Sequence, residues 1–300
     1  MKFQVSEWYR AQLYQVCPRA RYWNFHHNGN GIEAVELSPS QAAAHVIREA
    51  IGKILAGTSS GKQAALDAGK AFTAMIGTRG VRTSEKSDAY VVFKDYRARV
   101  QDCVDGYADR FSRPPSILAG YSVVRAGEEI SFTLANRIVF VAKPVAILKH
   151  PMTKEVALYY VKAAARVSKD TEKLVRDFRL LSELAALNSI GFKAGKVIVQ
   201  QIGMSPVHIP EAVELDPNRR WVVDWEIDIT KAEQYLEYRE TSCQTPEFFP
   251  QHRHSCSAPY PCAFAPICWE GADPDHDVRY MPRLVQLEKE KELAAKLSGK

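Results

Sequence analysis

The sequence predicts an α/β fold: a central mixed sheet flanked by helices, with a helical N-terminal part before it and a Cys-rich lobe after it. Two observations predict this arrangement. Apolar residues recur at helical spacing up to Pro114-Pro115, and segments rich in Val, Ile, Tyr and Phe come next. The chain has 300 residues, of which 46% are hydrophobic, and this is enough for one large domain or two small ones.

The N-terminal part is predicted to contain three helices. Ser38 is placed to cap the first helix, Pro39 fits its first position and Gln41 has the capping-box spacing. Glycines between positions 57 and 61 end this helix, and the two prolines at 114 and 115 end the third. The predicted helices span residues 38–55, 62–75 and 87–111.

The middle of the chain is predicted to form consecutive strands of one sheet, because β-branched and aromatic residues alternate there with turn residues. These strands span residues 117–124, 129–134, 138–148 and 156–161. A helix at 172–187, strands at 196–202 and 221–229, and a helix at 230–240 follow. The resulting segments are 1–125, a core at 126–205, a C-terminal lobe at 206–270 and a charged tail helix at 271–300.

Charge and hydropathy limit the class of protein. Forty Lys and Arg residues against 35 Asp and Glu residues give a formal charge of +5, which is compatible with a polyanionic partner without requiring one. The first residues contain no signal-peptide run, and no stretch approaches the roughly 20 apolar residues of a membrane span. We therefore expect a soluble, cytoplasmic protein with no membrane partner.

Three cysteines lie at equal spacing late in the chain. Cys256, Cys262 and Cys268 occur in SCSAPYPCAFAPIC, where prolines keep the segment out of regular structure. Clustered cysteines in a reducing compartment are typical of metal sites. Three thiolates need a fourth ligand to hold a common iron-sulfur cluster, and Cys17 in VCPRARYW is the best candidate.

Alternatives to this ligand set remain open. Cys243 is a rival fourth ligand, and His252 or His254 with the cysteines would suit zinc. The three late cysteines are also compatible with an incidental loop. Cys103, on the third predicted helix, is expected to be a small core residue.

The early Cys-Pro-Arg, the late Cys trio and the order of helices before strands resemble the RecB and AddB branch of the PD-(D/E)XK nucleases. Phage exonucleases and CRISPR spacer-acquisition nucleases belong to the same branch, and the resemblance spans roughly residues 6–270. It implies a restriction-endonuclease-like core. It also implies that Cys17, Cys256, Cys262 and Cys268 bind a [4Fe-4S] cluster that ties the N-terminal segment to the C-terminal lobe.

The resemblance also implies where an active site would lie. The family histidine matches His45 in SQAAAHVIREAI, and the family lysine matches Lys162 in ALYYVKAAAR. The acidic residue that opens the preceding strand matches Glu128 or Glu129. The family's helical Gln falls on Arg179.

Both metal-binding acids of the family are replaced, because Val145 and Tyr160 stand at their positions. Cleavage by such sites needs Mg²⁺ or Mn²⁺ held by hard oxygen ligands. Valine has no lone pair and neutral tyrosine is a poor ligand, so we expect a catalytically degenerate protein. His45 is then as well explained by packing as by function.

Three functions follow as alternatives. The first is a protein that binds nucleic acid, either single-stranded or at DNA ends, or a protein partner, as a viral or mobile-element factor would. The second is an active Mg²⁺- or Mn²⁺-dependent exonuclease with relocated metal ligands, and the third is a purely structural subunit. The acids available for relocation are Glu49, Glu128, Glu129, Glu155 and Asp224.

Two groups of residues are compatible with nucleic-acid contact. The first contains aromatic and arginine side chains between Trp8 and Phe25, which either stack on single strands or pack around a cluster ligand. The second contains Arg82, Lys86, Lys94, Arg97 and Arg99, which form either a phosphate-contacting surface or a solvated helix face.

Overall fold

A computed structural model describes most of the chain. The described residues are 4–7, 12, 16–29, 31–34, 39–77, 88–111, 117–134, 138–170, 172–242, 245–249, 251–252, 256, 262–277 and 279–282. The chain divides into two compact units. We call residues 36–130 and 142–222 the sheet unit, and residues 1–35, 131–141 and 223–300 the cysteine unit.

The described residues form α-helices, β-strands and short 3₁₀ turns. The α-helices are α1 (Pro18–Phe25), α2 (Pro39–Leu55), α3 (Gly61–Gly77), α4 (Asp88–Phe111), α5 (Phe178–Ser189), α6 (Arg219–Ser242) and α7 (Ala265–Glu270). The strands are β1 (Gln4–Glu7), β2 (Ile32–Ala34), β3 (Ser122–Ala126), β4 (Ile130–Leu134), β5 (Ile138–Ala142), β6 (Ala146–Lys149), β7 (Val156–Ala164), β8 (Ala194–Met204), β9 (Val207–His208), β10 (Val213–Leu215) and β11 (Tyr280–Pro282). Short 3₁₀ turns span His27–Gly29, Ile117–Gly120, Glu172–Arg176 and Pro246–Phe248.

The sheet unit contains a mixed six-stranded sheet in the order β10-β8-β7-β6-β3, with β9 paired to β8. Strand β6 runs antiparallel to both β3 and β7, whereas β7 and β8 are parallel. A parallel pair needs a crossover, and the 3₁₀ turn with α5 provides it. Residues 157–161 of β7 are buried without interruption, as expected for a strand covered on both faces.

Helices α2, α3 and α4 supply the apolar core of this unit. Val46, Ile47 and Ile51 lie on one stripe of α2 and are almost fully buried. The same core includes Tyr159 and Val161 of β7. These observations confirm an α/β fold with a mixed sheet flanked by helices, and the three predicted N-terminal helices are confirmed within two residues at their ends.

The cysteine unit contains two small sheets. In the first, β5 lies between β1 and β4, and β1 runs parallel to β5. In the second, β11 pairs antiparallel with β2, so that Tyr280 lies opposite Ala34 and Pro282 opposite Ile32. Residues far apart in sequence therefore share this unit.

Several predicted elements are wrong. The predicted strand at 221–229 is part of helix α6, because Val222, Trp225 and Ile229 are buried at helical rather than alternating spacing. The predicted strand at 138–148 is divided in two at Lys143-Pro144.

The single predicted sheet is wrong as well, since β4 and β5 form a separate three-stranded sheet with β1, in which β5 pairs with both, rather than joining β3, β6 and β7. Within the predicted tail helix, residues 271–277 and 279 form a loop and residues 280–282 form β11, while residues 283–300 lie outside the described residues.

Candidate cluster site and remnant nuclease centre

The cysteine unit places Cys17 directly before helix α1. Cys17 has extended backbone angles (φ −161°, ψ 109°), and Pro18 occupies the first helical position, where its missing N–H costs nothing. The Cys17 carbonyl accepts the first helical hydrogen bond from Arg21 N at 3.1 Å. The Cys-Pro sequence thus starts a helix while leaving a buried thiol just outside it.

The late cysteines lie on a turn and a short helix. Cys262 N donates to the Cys256 carbonyl at 2.9 Å, and Cys268 N on α7 donates to the Phe264 carbonyl at 3.1 Å. Cys262 and Cys268 pack against the same buried cluster that contains Cys17. Backbone geometry and apolar packing both hold these thiols in place.

The thiols influence one another electrostatically. Burial, together with the neighbouring Cys17, Cys256 and Cys268 thiols, raises the pKa of Cys262 to about 11, while a hydrogen bond from the Phe264 backbone acts in the opposite direction. Burial also raises the pKa of Cys268, while Arg19 nearby acts in the opposite direction. Because such interactions decline with distance, the four sequence-predicted ligands occupy one region of this unit.

Among the described residues, no three His, Cys, Asp or Glu side chains are grouped as ligands of one metal ion. His252 Nδ1 lies 3.0 Å from the Val16 carbonyl. His254 and Cys243 lie outside the described residues.

Trp23 provides the strongest indication that a group fits here. Its indole N–H lies near Cys268 and lowers the pKa of that thiol. Yet the buried Nε1 makes no hydrogen bond of normal length within the described part of the chain. A buried unsatisfied donor is costly, and a cluster sulfur or its thiolate would accept from it.

The predicted remnant centre lies at one end of the β6–β7 pair in the sheet unit. Val145 directly precedes Ala146, whose partner in β7 is Tyr159, so Val145 and Tyr160 lie at the same end of these strands. Gly127 N donates to the Val145 carbonyl at 3.0 Å. This brings the turn that carries Glu128 beside Val145, although Glu128 itself is 3.8 Å from Arg125.

Arg179 fills the space next to Tyr160. Its guanidinium carbon lies 4.4 Å from the centre of the Tyr160 ring, and Nη2 donates to the Val161 carbonyl at 2.5 Å. Its Nε lies 3.3 Å from Glu183 Oε1, and both side chains are less than 10% exposed. A fixed cation therefore lies against Tyr160.

Lys162 is held beside this arginine by Asp177. The Lys162 ammonium and the Asp177 carboxylate form an ion pair, and Asp177 also caps α5 by accepting from Arg179 N at 3.1 Å. Burial, then the carboxylates of Asp177 and Glu183, raise the pKa of Tyr160 well above its ordinary value. Tyr160 is thus a neutral phenol at physiological pH, which makes it a poor ligand for a hard dication.

Arg48 of α2 adds a third cation to this centre, because it opposes the effect of burial on the pKa of Glu183. Arg48, Asp177 and Glu183 were missed in the sequence. The Arg179–Glu183 spacing of four residues was available as a signal, since such pairs meet on one helix face. His45, one turn before Arg48 on α2, is exposed.

The other acids considered for relocation do not gather around Tyr160. Glu49 pairs with Lys143 at 2.7 Å. Glu155 lies before the first residue of β7, five residues from Tyr160, and borders Gly195. Glu129 is exposed, and Asp224 is an exposed residue of the cysteine unit.

The basic residues proposed on the third helix are described in part. Lys94 and Arg97 are exposed, while Arg99 pairs with Asp95 at 2.6 Å and lies 5.5 Å from the centre of the Tyr96 ring. Arg82 and Lys86 lie outside the described residues. Cys103 is fully buried on α4 as predicted.

The chain matches no protein-family model, and no curated protein is significantly similar to it in sequence. Among the described helices, none combines the length and the apolar character needed to cross a bilayer.

Proposed function

We propose that this chain is an iron-sulfur protein with a RecB-like nuclease fold that binds nucleic acid without cutting it. One observation carries the proposal: the Arg179 guanidinium stacks on Tyr160 where the family has a metal-binding acid. A buried cation repels Mg²⁺ or Mn²⁺ at this position, while cations near the surface attract phosphate.

The cofactor in this proposal is a [4Fe-4S] cluster on Cys17, Cys256, Cys262 and Cys268. Support comes from the mutual effect of their thiols on the pKa of Cys262 and from the unsatisfied Trp23 N–H. When bound, such a cluster cross-links its ligands and offers an electron-transfer centre. The protein residues bury it and hydrogen-bond to its sulfurs.

A second candidate is an active exonuclease with relocated metal ligands. It is favoured by two acidic residues that the sequence analysis did not identify. Asp177 contacts Lys162, and Asp177 and Glu183 both act on Tyr160. Two carboxylates beside the retained lysine are the minimum that a divalent metal centre would need. Their pairing with Lys162 and Arg179 weighs against it.

One paired assay separates the candidates. Anaerobically purified protein is mixed with labelled single-stranded DNA, with a blunt duplex and with a hairpin, and binding is followed by fluorescence anisotropy at several salt concentrations. We expect affinity that falls steeply with salt, because bound Lys and Arg displace counterions. Gels after hours with Mg²⁺ or Mn²⁺ are expected to show intact DNA.

If the unmodified protein cuts the DNA, a pair of variants tests whether relocated ligands are responsible. Mn²⁺-dependent degradation that Asp177→Asn abolishes and Asp67→Asn retains would favour the relocated exonuclease, because Asp67 is an acid on α3 that bonds only to Gln63 and Lys70 among the described residues. Absence of both binding and cutting would favour a structural or protein-partner role.

A further inference from the structure

A cation stacked on an aromatic ring lies on the surface of the sheet unit, next to the remnant centre. The guanidinium carbon of Arg176 is 4.6 Å from the centre of the Trp221 ring. Arg176 is exposed and Trp221 is half-buried, so the indole is anchored while the guanidinium plane faces outward. Arg176 directly precedes Asp177, the partner of Lys162.

The surroundings of this stack are cationic. Trp221 lies in the first turn of α6, directly after the exposed Arg219 and Arg220. Asn218 caps this helix, with its side-chain oxygen accepting from Arg220 N at 3.1 Å. The partial positive charge of the helix N-terminus adds to that of the arginines. Lys173, one turn before Arg176, is also exposed, but its charge is paired with Asp170 at 2.9 Å.

We propose that the Arg176–Trp221 pair is a stacking platform for one unpaired base of a single-stranded nucleic acid, whose phosphates contact Arg219 and Arg220. The assignment rests on the proposed nucleic-acid function and deepens it by naming the strand type and the subsite. The Arg176 guanidinium lies over the indole and belongs to an exposed residue, and unstacked bases bind to the planar faces of guanidinium groups.

The planar geometry selects this ligand over other anions. An acidic peptide would be attracted by the same charges, but it has no planar ring to lie on Arg176. Bases within a duplex are stacked on one another and cannot reach a surface platform without being unpaired. Binding should therefore be stronger for a single strand than for a duplex of the same sequence, although the duplex has more charge.

The test uses full-length cluster-loaded protein and a fluorescein-labelled single strand of thymidines, with a duplex of equal length and polyglutamate as competitors. Arg176→Ala and Trp221→Ala are each expected to weaken single-strand binding by about 5- to 100-fold, the range for losing one base stack. Arg176→Lys is expected to weaken binding nearly as much, because it keeps the charge but not the plane.

The matched control is Lys70 on α3, an exposed cation of the sheet unit that lies 3.8 Å from Asp67. Lys70→Ala removes one positive charge, as Arg176→Ala does, and should change affinity by less than about twofold. Trp221→Phe keeps an aromatic ring beneath Arg176, so it should retain most of the binding that Trp221→Ala loses.

Three outcomes would overturn the platform. These are equal losses in Arg176→Ala and Lys70→Ala, full binding by Arg176→Lys, or displacement by polyglutamate as effective as by unlabelled DNA. In each of these cases the wild-type protein still binds DNA, so the general proposal stands. If the wild-type protein binds no nucleic acid at all, the general proposal and the platform both fail.

Discussion

Arg21 and Glu233 form a bidentate ion pair that is closed off from solvent. The Arg21 nitrogens Nη1 and Nη2 each donate to one Glu233 oxygen at 2.7 Å, and the side chains are 0% and 1% exposed. The pair joins α1, which begins directly after Cys17, to α6. It therefore fixes the position of the helix on which the cysteine site depends.

We expect Glu233→Ala to lower the free energy of unfolding by about 3–5 kcal/mol, because it removes the carboxylate that compensates the buried Arg21 charge through two hydrogen bonds. The measurement is a urea titration followed by circular dichroism. Replacing both residues, as in Arg21→Met with Glu233→Leu, should cost much less, since two apolar side chains need no counterion. A double variant as unstable as the single one would mean that the pair has a role beyond charge compensation.

Cysteine substitutions test the cluster ligands. Cys17→Ala is expected to lose most of the iron, of which wild-type protein should contain about four atoms per chain, and to lose the brown colour. Because the proposed cluster would connect distant segments, this variant should also unfold at a lower temperature. Cys103→Ala, which removes a buried thiol of the sheet unit, should keep its iron. Colourless wild-type protein with one zinc per chain would contradict the assignment.

Cys103 gives a pH dependence of stability. Burial raises the pKa of this thiol to about 12, above the value of 9.0 for an exposed cysteine. The folded state therefore keeps the proton while the unfolded state loses it above about pH 9. Stability from this group is complete below that pH and decreases as the pH rises toward about 12. Cys103→Ala should show a smaller decrease in urea midpoint over this range.

The burial of Cys103 also predicts that its thiol is protected from alkylation. Thiolates react with alkylating reagents and thiols do not, so native Cys103 should stay unmodified at pH 8 while denatured protein is labelled there. Peptide mass spectrometry of both samples gives the ratio. Rapid native labelling of Cys103 would show that α4 opens readily.

Introducing the two family acids into the proposed remnant centre should not be enough to create a metal site. In Val145→Asp with Tyr160→Glu, the new carboxylates are expected to pair with Arg179 and Lys162 and so remain poor ligands. Adding Arg179→Gln removes the competing cation, and Mn²⁺ affinity should then rise at least tenfold over the double variant. Calorimetric titration with Mn²⁺ measures this. Equal affinities would mean that Arg179 does not control access of metal to the site.

We expect Trp23 to raise the midpoint reduction potential of the proposed cluster. A hydrogen bond to a cluster sulfur stabilises the reduced form, so Trp23→Phe is expected to lower the midpoint potential while the iron content stays near that of the wild type. A redox titration followed by electron paramagnetic resonance provides the value. An unchanged potential would place the indole N–H away from the sulfurs.

Local patterns predicted the helical half of the sheet unit well. Capping residues and glycines mark the ends of α2 and α3, and these signals act within a few residues. Strand pairing is different, because β4 and β5 are rich in apolar residues like β6 and β7 but form a separate sheet with β1. Composition indicates that a strand forms, whereas its partner is chosen by distant residues.

The candidate sites show the same contrast. Motif spacing pointed to Cys17, Val145, Tyr160 and Lys162, and to Arg179 with less certain register. It could not show that Arg179 lies on the Tyr160 ring or that Asp177 holds Lys162, because these contacts depend on how α5 crosses the sheet. The strand predicted at 221–229 failed because a short apolar run looks alike in a strand and in a buried helix face.

The discontinuity of the cysteine unit affects how the protein is made in the cell. His27 contacts Asp275 across 248 residues of sequence, and β2 must wait for β11 before it can pair. All residues of the sheet unit are synthesised before position 223, so this unit can fold on the ribosome while Cys17 is still without its partners. Iron delivery is therefore expected to follow translation of the cysteine trio, and a nascent chain stalled at residue 250 would expose Cys17 to oxidation.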